Sequence, residues 1–158
     1  MTFLASAAGI YTLYPKVEIK RAGSADNQNP STATFEVTNK GFFSVAEVQT
    51  TFLLNDVRIS SYVFKGIALK SPTRPFTSLR LNESATFSWP VISGRLLDGD
   101  MTVVVHCRFL FSEFTSSARF VTQSGIDHIL HWFPQPVDQT ALPENDMSKI
   151  AGSLTAAD

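Results

Sequence analysis

A chain of 158 residues with 44% hydrophobic and 17% charged side chains is long enough for one domain. At this size about 70% of the unfolded surface can be buried without a metal or a disulfide. The net charge of −1, with acids and bases interspersed and no run of Lys or Arg, offers no basic stripe and excludes electrostatic capture of nucleic acid.

Residues 2–14 (TFLASAAGIYTLY) carry no charged side chain. They fall short of the roughly 20 residues that span a bilayer. They also lack the positive start of a signal peptide, although Ala5-Ser6-Ala7 has the small-x-small shape of a cleavage site. Two readings stand side by side. Residues 1–14 are the trailing half of a membrane helix or signal, with Tyr11 and Tyr14 at the interface, or they are an apolar first element packed on the domain. The domain itself is read as residues 15–136.

Residues 16–21 (KVEIKR) alternate Val17 and Ile19 with charges, which predicts a short edge strand. A turn-rich loop follows over 22–31. Residues 32–38 (TATFEVT) set Phe35 and Val37 opposite Thr34, Glu36 and Thr38, and Asn39-Lys40-Gly41 ends that strand. Residues 45–54 resume as a strand with Val48, Thr50, Phe52 and Leu54 on one face. Asn55-Asp56 is a two-residue turn candidate leading into a second edge candidate over 58–64.

Residues 65–82 contain two prolines and little periodicity, so a long loop with one short strand at most is expected. Residues 83–89 (ESATFSW) point Ala85, Phe87 and Trp89 inward, and Pro90 stops the ladder. Asp98-Gly99-Asp100 within 97–100 is predicted to be a tight turn. Residues 101–111 (MTVVVHCRFLF) then form a long central strand. Met101, Val103, Val105, Cys107, Phe109 and Phe111 share one face because side chains on a strand alternate with period two. Residues 115–123 are its expected hairpin partner, and 126–133 the last strand. The polar segment 137–158 is expected to be a disordered tail. About seven or eight strands in one all-β, antiparallel, immunoglobulin-like sandwich is the expected fold.

Candidate chemistry is sparse. His106, His128, His131 and Cys107 include the side chains that hold zinc, but strand geometry sends 128 and 131, and 106 and 107, to opposite faces, so no metal site is expected. Cys107 sits among Val105 and Phe109 and reads as a small buried hydrophobe. No Gly-x-Ser-x-Gly elbow, phosphate-cradling glycine loop or spaced calcium-loop acids occur, and the chain is read as a non-enzyme without a cofactor. Aromatic residues beside turns are the binding candidates: Phe42 and Phe43 after the Asn39 corner, Trp132 before Pro134, and the loop with Arg74 and Phe76. Val17 and Ile19 are the edge-strand candidates.

Asn29-Pro30-Ser31-Thr32, Thr34-Phe35, Val37, Asn39 and Gly41, followed by 45–48, resemble the first half of bacterial immunoglobulin-like modules of surface and adhesion proteins. Taken with Tyr14-Pro15-Lys16-Val17 and the ending Leu130-His131-Trp132-Phe133-Pro134-Gln135-Pro136, the chain resembles uncharacterised bacterial membrane-anchored proteins with a small β-rich ectodomain. A plant-type desiccation-related sandwich also uses Asn-Pro near a first strand. The bacterial resemblance implies a module at the inner membrane facing the periplasm, with a cytoplasmic setting as the alternative. It carries no known activity. The functional expectation is capture of a protein partner by an edge strand or end loops, with membrane association through the N-terminus. The alternative is a carrier that holds an apolar ligand or lipid between two sheets.

Overall fold

A computed structural model describes residues 14–22, 32–60, 62–90, 92–126 and 129–136. The expectations for most of the N-terminal segment, the 23–31 loop, His128 and the 137–158 tail lie outside these residues. Among the described residues the protein is all-β, with ten strands: β1 (Val17–Arg21), β2 (Thr34–Asn39), β3 (Val45–Ile59), β4 (Tyr62–Phe64), β5 (Ile67–Lys70), β6 (Phe76–Leu79), β7 (Ser84–Ser88), β8 (Leu96–Phe109), β9 (Ser112–Ser124) and β10 (Leu130–Gln135). Every pairing is antiparallel. One sheet runs β1-β2-β7. The other runs β10-β9-β8-β3, with β4, β5 and β6 along the far side of β3.

The chain crosses between sheets three times, from β2 to β3, from β6 to β7 and from β7 to β8, so the two sheets are interlocked. Alternation drives the packing. Phe35 and Val37 on β2, Phe52 and Leu54 on β3, Ala85 and Phe87 on β7, and Met101, Val103 and Val105 on β8 are all buried between the sheets. Phe35 meets Phe120 edge-on at 5.0 Å and Phe52 at 5.6 Å. Trp89 then stacks against Trp132 at 5.4 Å. These rings fill the interior between the two sheets.

β3 keeps its apolar face inward over 15 residues by resetting parity twice. Glu47 takes φ 53°, and the register against β8 shifts between Ala46 and Gln49, so Val45 and Val48 both point inward although three apart. A second shift at Leu54/Asp56 does the same for Leu54 and Val57. Asn55-Asp56 is therefore an irregularity inside β3 rather than a hairpin turn. The chain reverses beyond Ile59, so Arg58 and Ile59 belong to a central strand and only β4 remains of that edge candidate.

Two further expectations are corrected. Residues 97–100 lie within β8, where Gly99 pairs with Val57, because that glycine serves close packing rather than a turn. Residues 65–82 hold two strands rather than one at most: β5 and β6 continue the line of β4 along β3 as an interrupted return strand. Between β5 and β6, Ser71 donates its hydroxyl to Ser88 O at 3.0 Å, and Ser88 N donates to Thr73 Oγ1 at 3.0 Å. This strap closes the open side between the sheets. The last strand runs over Leu130–Gln135 and includes Pro134, which an edge strand tolerates.

Candidate functional site

The Asn39 corner builds one end of the sandwich. Asn39 is fully buried, and its side-chain amide donates to Phe43 O at 2.8 Å and Leu79 O at 2.9 Å. Its Oδ1 accepts from Gly41 N at 2.9 Å. One amide thus folds the 40–44 corner, ties it to the end of β6, and turns Phe42 and Phe43 outward. Gly41 is needed for close approach, since a Cβ there would come within 2.9 Å of Lys16 N and 3.3 Å of Pro15 Cα. Lys40 N donates to Lys16 O at 2.7 Å, which fixes the entering chain at this same end.

The β8–β9 hairpin ends beside it. Phe109 pairs with Ser112, leaving Leu110-Phe111 as a two-residue turn with Leu110 at φ 53°. Phe111 does not continue the buried face of β8, because the chain has already reversed, and it is fully exposed. Phe42 is 72% exposed and packs on Phe43 at 5.5 Å, and Phe43 lies 6.1 Å from Phe109. A cleft of about 360 Å³ runs between Tyr14-Pro15 and residues 109–114. Leu81 is exposed on the neighbouring β6–β7 connection, next to Asn82, whose backbone N donates to Asn39 O. Tyr14, Phe42, Phe43, Leu81, Leu110 and Phe111 thus form one apolar tip.

The other candidates are distributed differently. Trp132 is 2% exposed, stacked on Trp89 and seated over Gly99, which removes it from the surface. Phe76 is half-buried against Phe87 at 5.4 Å, and Arg74 is exposed on the strap between the sheets. Val17 and Ile19 are half-buried on β1, the outer strand of its sheet, and both pack on the core. Sequence reasoning brought Phe42 and Phe43 to an exposed corner and singled out Tyr14 as an interfacial residue, but missed Leu81, Leu110 and Phe111. The available signal was the run Phe109-Leu110-Phe111, where alternation fails just before the polar Ser112-Glu113.

Polar groups elsewhere support structure. Arg119 grips Asp100 with two bonds of 2.9 and 2.7 Å, and Asn55 Nδ2 adds a third at 3.1 Å. Burial raises the Asp100 carboxyl, yet these bonds and the guanidinium charge outweigh it and hold the group below the ordinary range. Burial pushes the Cys107 thiol up to about 11. Burial likewise lowers His106, with Lys70 adding to the effect and Glu113 opposing it. Among the described residues, no three His, Cys, Asp or Glu side chains converge as metal ligands. No family model, curated protein or solved structure matches the chain.

Proposed function

We propose that this chain is a non-enzymatic binding or assembly module of the bacterial envelope, an immunoglobulin-like sandwich that makes its contact through one end. The observation that carries this reading is the tip: six exposed apolar side chains lie at one end of the sandwich, from the entering chain, the Asn39 corner, the β6–β7 connection and the β8–β9 turn. Contiguous exposed apolar surface on a folded domain marks a contact site. Leu110 supports the same reading, because a leucine held at φ 53° on an exposed turn costs stability that no core contact explains. The sheet orders β1-β2-β7 and β9-β8-β3, with crossovers after β2, β6 and β7, support the immunoglobulin-like assignment.

Protein capture by strand addition at β1 is the second reading, favoured by β1 being terminal in its sheet. Its open side leans over the other sheet, where Ser116 Oγ reaches Val17 O at 3.4 Å, so a partner would have to displace that contact. The carrier reading has less support, because Phe35, Phe52, Phe120, Trp89 and Trp132 already fill the space between the sheets. A photo-crosslinker placed in cells at Phe42, and separately at Val17, tests the choice. Adducts of protein or lipid at position 42 support the end, whereas adducts at position 17 alone move the contact to the edge. Fractionation with protease added from the periplasmic side tests the envelope setting.

A further inference from the structure

The tip has the composition of a surface that meets lipid, and this inference rests on the end being the contact surface. Four features coincide there. The side chains are aromatic or aliphatic, and Leu110-Phe111 project as a wedge from a tight turn. Tyr14 lines the cleft beside Phe111. Charges around the tip are nearly balanced, with Lys16, Lys40, Arg80 and Arg108 against Glu47, Glu83 and Glu113, and Arg108 is paired with Glu47 at 2.7 Å. Finally, the chain reaches the tip at Tyr14 directly from a segment, residues 2–13, that carries no charged side chain. Other exposed apolar residues, such as Tyr62, Val63 and Ile126, lie away from this entry point and outside the Phe42–Phe43–Phe109 ring contacts.

We infer that the tip docks into the interfacial region of a lipid bilayer, with Phe42, Leu110 and Phe111 entering the headgroup–acyl boundary and Tyr14 beside them at the interface. Amphipathic aromatic rings favour that depth, and apolar burial supplies the affinity. With charge nearly balanced, binding depends little on anionic lipid or on salt.

Vesicle flotation with the full chain tests this, using phosphatidylcholine vesicles with and without phosphatidylglycerol, at low and high salt. The expected result is co-flotation with both compositions, little changed by salt. A Leu110→Ser/Phe111→Ser variant, which retains residues 1–14 and an unchanged melting cooperativity, is expected to lose at least about tenfold in partitioning. Phe111→Trp supplies a direct reporter: its emission shifts to the blue when vesicles are added, while Trp89 and Trp132 stay in the core. Equal flotation of the serine variant would overturn the inference, since the preceding segment would then suffice. Binding that requires phosphatidylglycerol and vanishes in salt would overturn it in favour of an electrostatic contact. Absence of vesicle binding, with self-association in sedimentation that the serine variant abolishes, would overturn the lipid assignment and leave the end as a contact between copies. Crosslinks confined to β1 would instead remove the end-surface reading on which the inference rests.

Discussion

Gly99 and Trp132 compete for the same space: a Cβ on Gly99 would overlap the six-membered ring of the Trp132 indole. Gly99 N also donates to Thr122 Oγ1 at 2.6 Å and to Asp98 Oδ1 at 2.9 Å, so the backbone there has little room to retreat. Gly99→Ala is therefore expected to push Trp132 from Trp89 and cost about 1–3 kcal/mol. Chemical denaturation measures the loss, and a change in near-ultraviolet circular dichroism reports the broken indole pair. An unchanged midpoint would show that β10 shifts freely.

Asn39 is the second pivot. Asn39→Ala leaves two carbonyls and one amide of the corner without their partners, which is expected to cost about 3 kcal/mol. For a domain of this size that corresponds to a fall of roughly 9 °C in melting temperature. Asn39→Asp keeps the acceptor for Gly41 N but sets a carboxylate oxygen against the Phe43 and Leu79 carbonyls in a buried site, so it should recover none of the loss at neutral pH. Calorimetry on the three proteins orders them.

Where the chain obeys strict alternation, its structure was readable. Met101 to Cys107, Val48 to Leu54 and Ala85 to Trp89 are buried on the faces their period assigns. Reading failed where parity is reset or a residue has a second use. A bulge at Glu47 leaves no mark in composition, and Asp98-Gly99-Asp100 has turn chemistry although its glycine exists to admit an indole. β5 and β6 are too short for periodicity to register among prolines. The tip was half legible for the same reason. Phe42-Phe43 follow an evident corner, whereas Leu110-Phe111 make a turn from residues that prefer strands.

Cys107 offers a labelling test of the core. Burial raises its thiol from the ordinary 9.0 to about 11, which lowers the thiolate fraction near neutral pH about a hundredfold. Disulfide-exchange reagents at pH 8 should thus label the native protein at least ~100-fold more slowly than a free thiol. Denaturant should restore ordinary rates. Rapid native labelling would mean that β8 and β9 separate readily.

Two groups predict separate acid steps in stability. Burial, helped by Lys70 and opposed by Glu113, holds His106 below its ordinary 6.5, so the unfolded chain takes up that proton more readily. Its stabilising contribution is complete above pH 6.5, declines as pH falls through that value, and levels off below the folded pKa. Asp100 acts lower. Its contribution is present above 3.8 and is lost as pH falls through its depressed folded value. His106→Asn should flatten the first step alone and Asp100→Asn the second, as read from denaturation midpoints across pH 3 to 8. If neither variant changes the profile, other groups control the acid response.

Leu110 joins stability to function. A leucine at φ 53° places its Cβ against the neighbouring carbonyl, whereas asparagine tolerates that region. Leu110→Asn should therefore stabilise the fold by about 1 kcal/mol, visible as a higher denaturation midpoint with an unchanged slope. The same change removes one of the apolar side chains at the tip, so vesicle partitioning should weaken as stability rises. A variant both more stable and weaker in binding would mean that the turn's strain is retained for the contact it presents. A variant with unchanged binding would leave Phe111 and Phe42 as the side chains that make it.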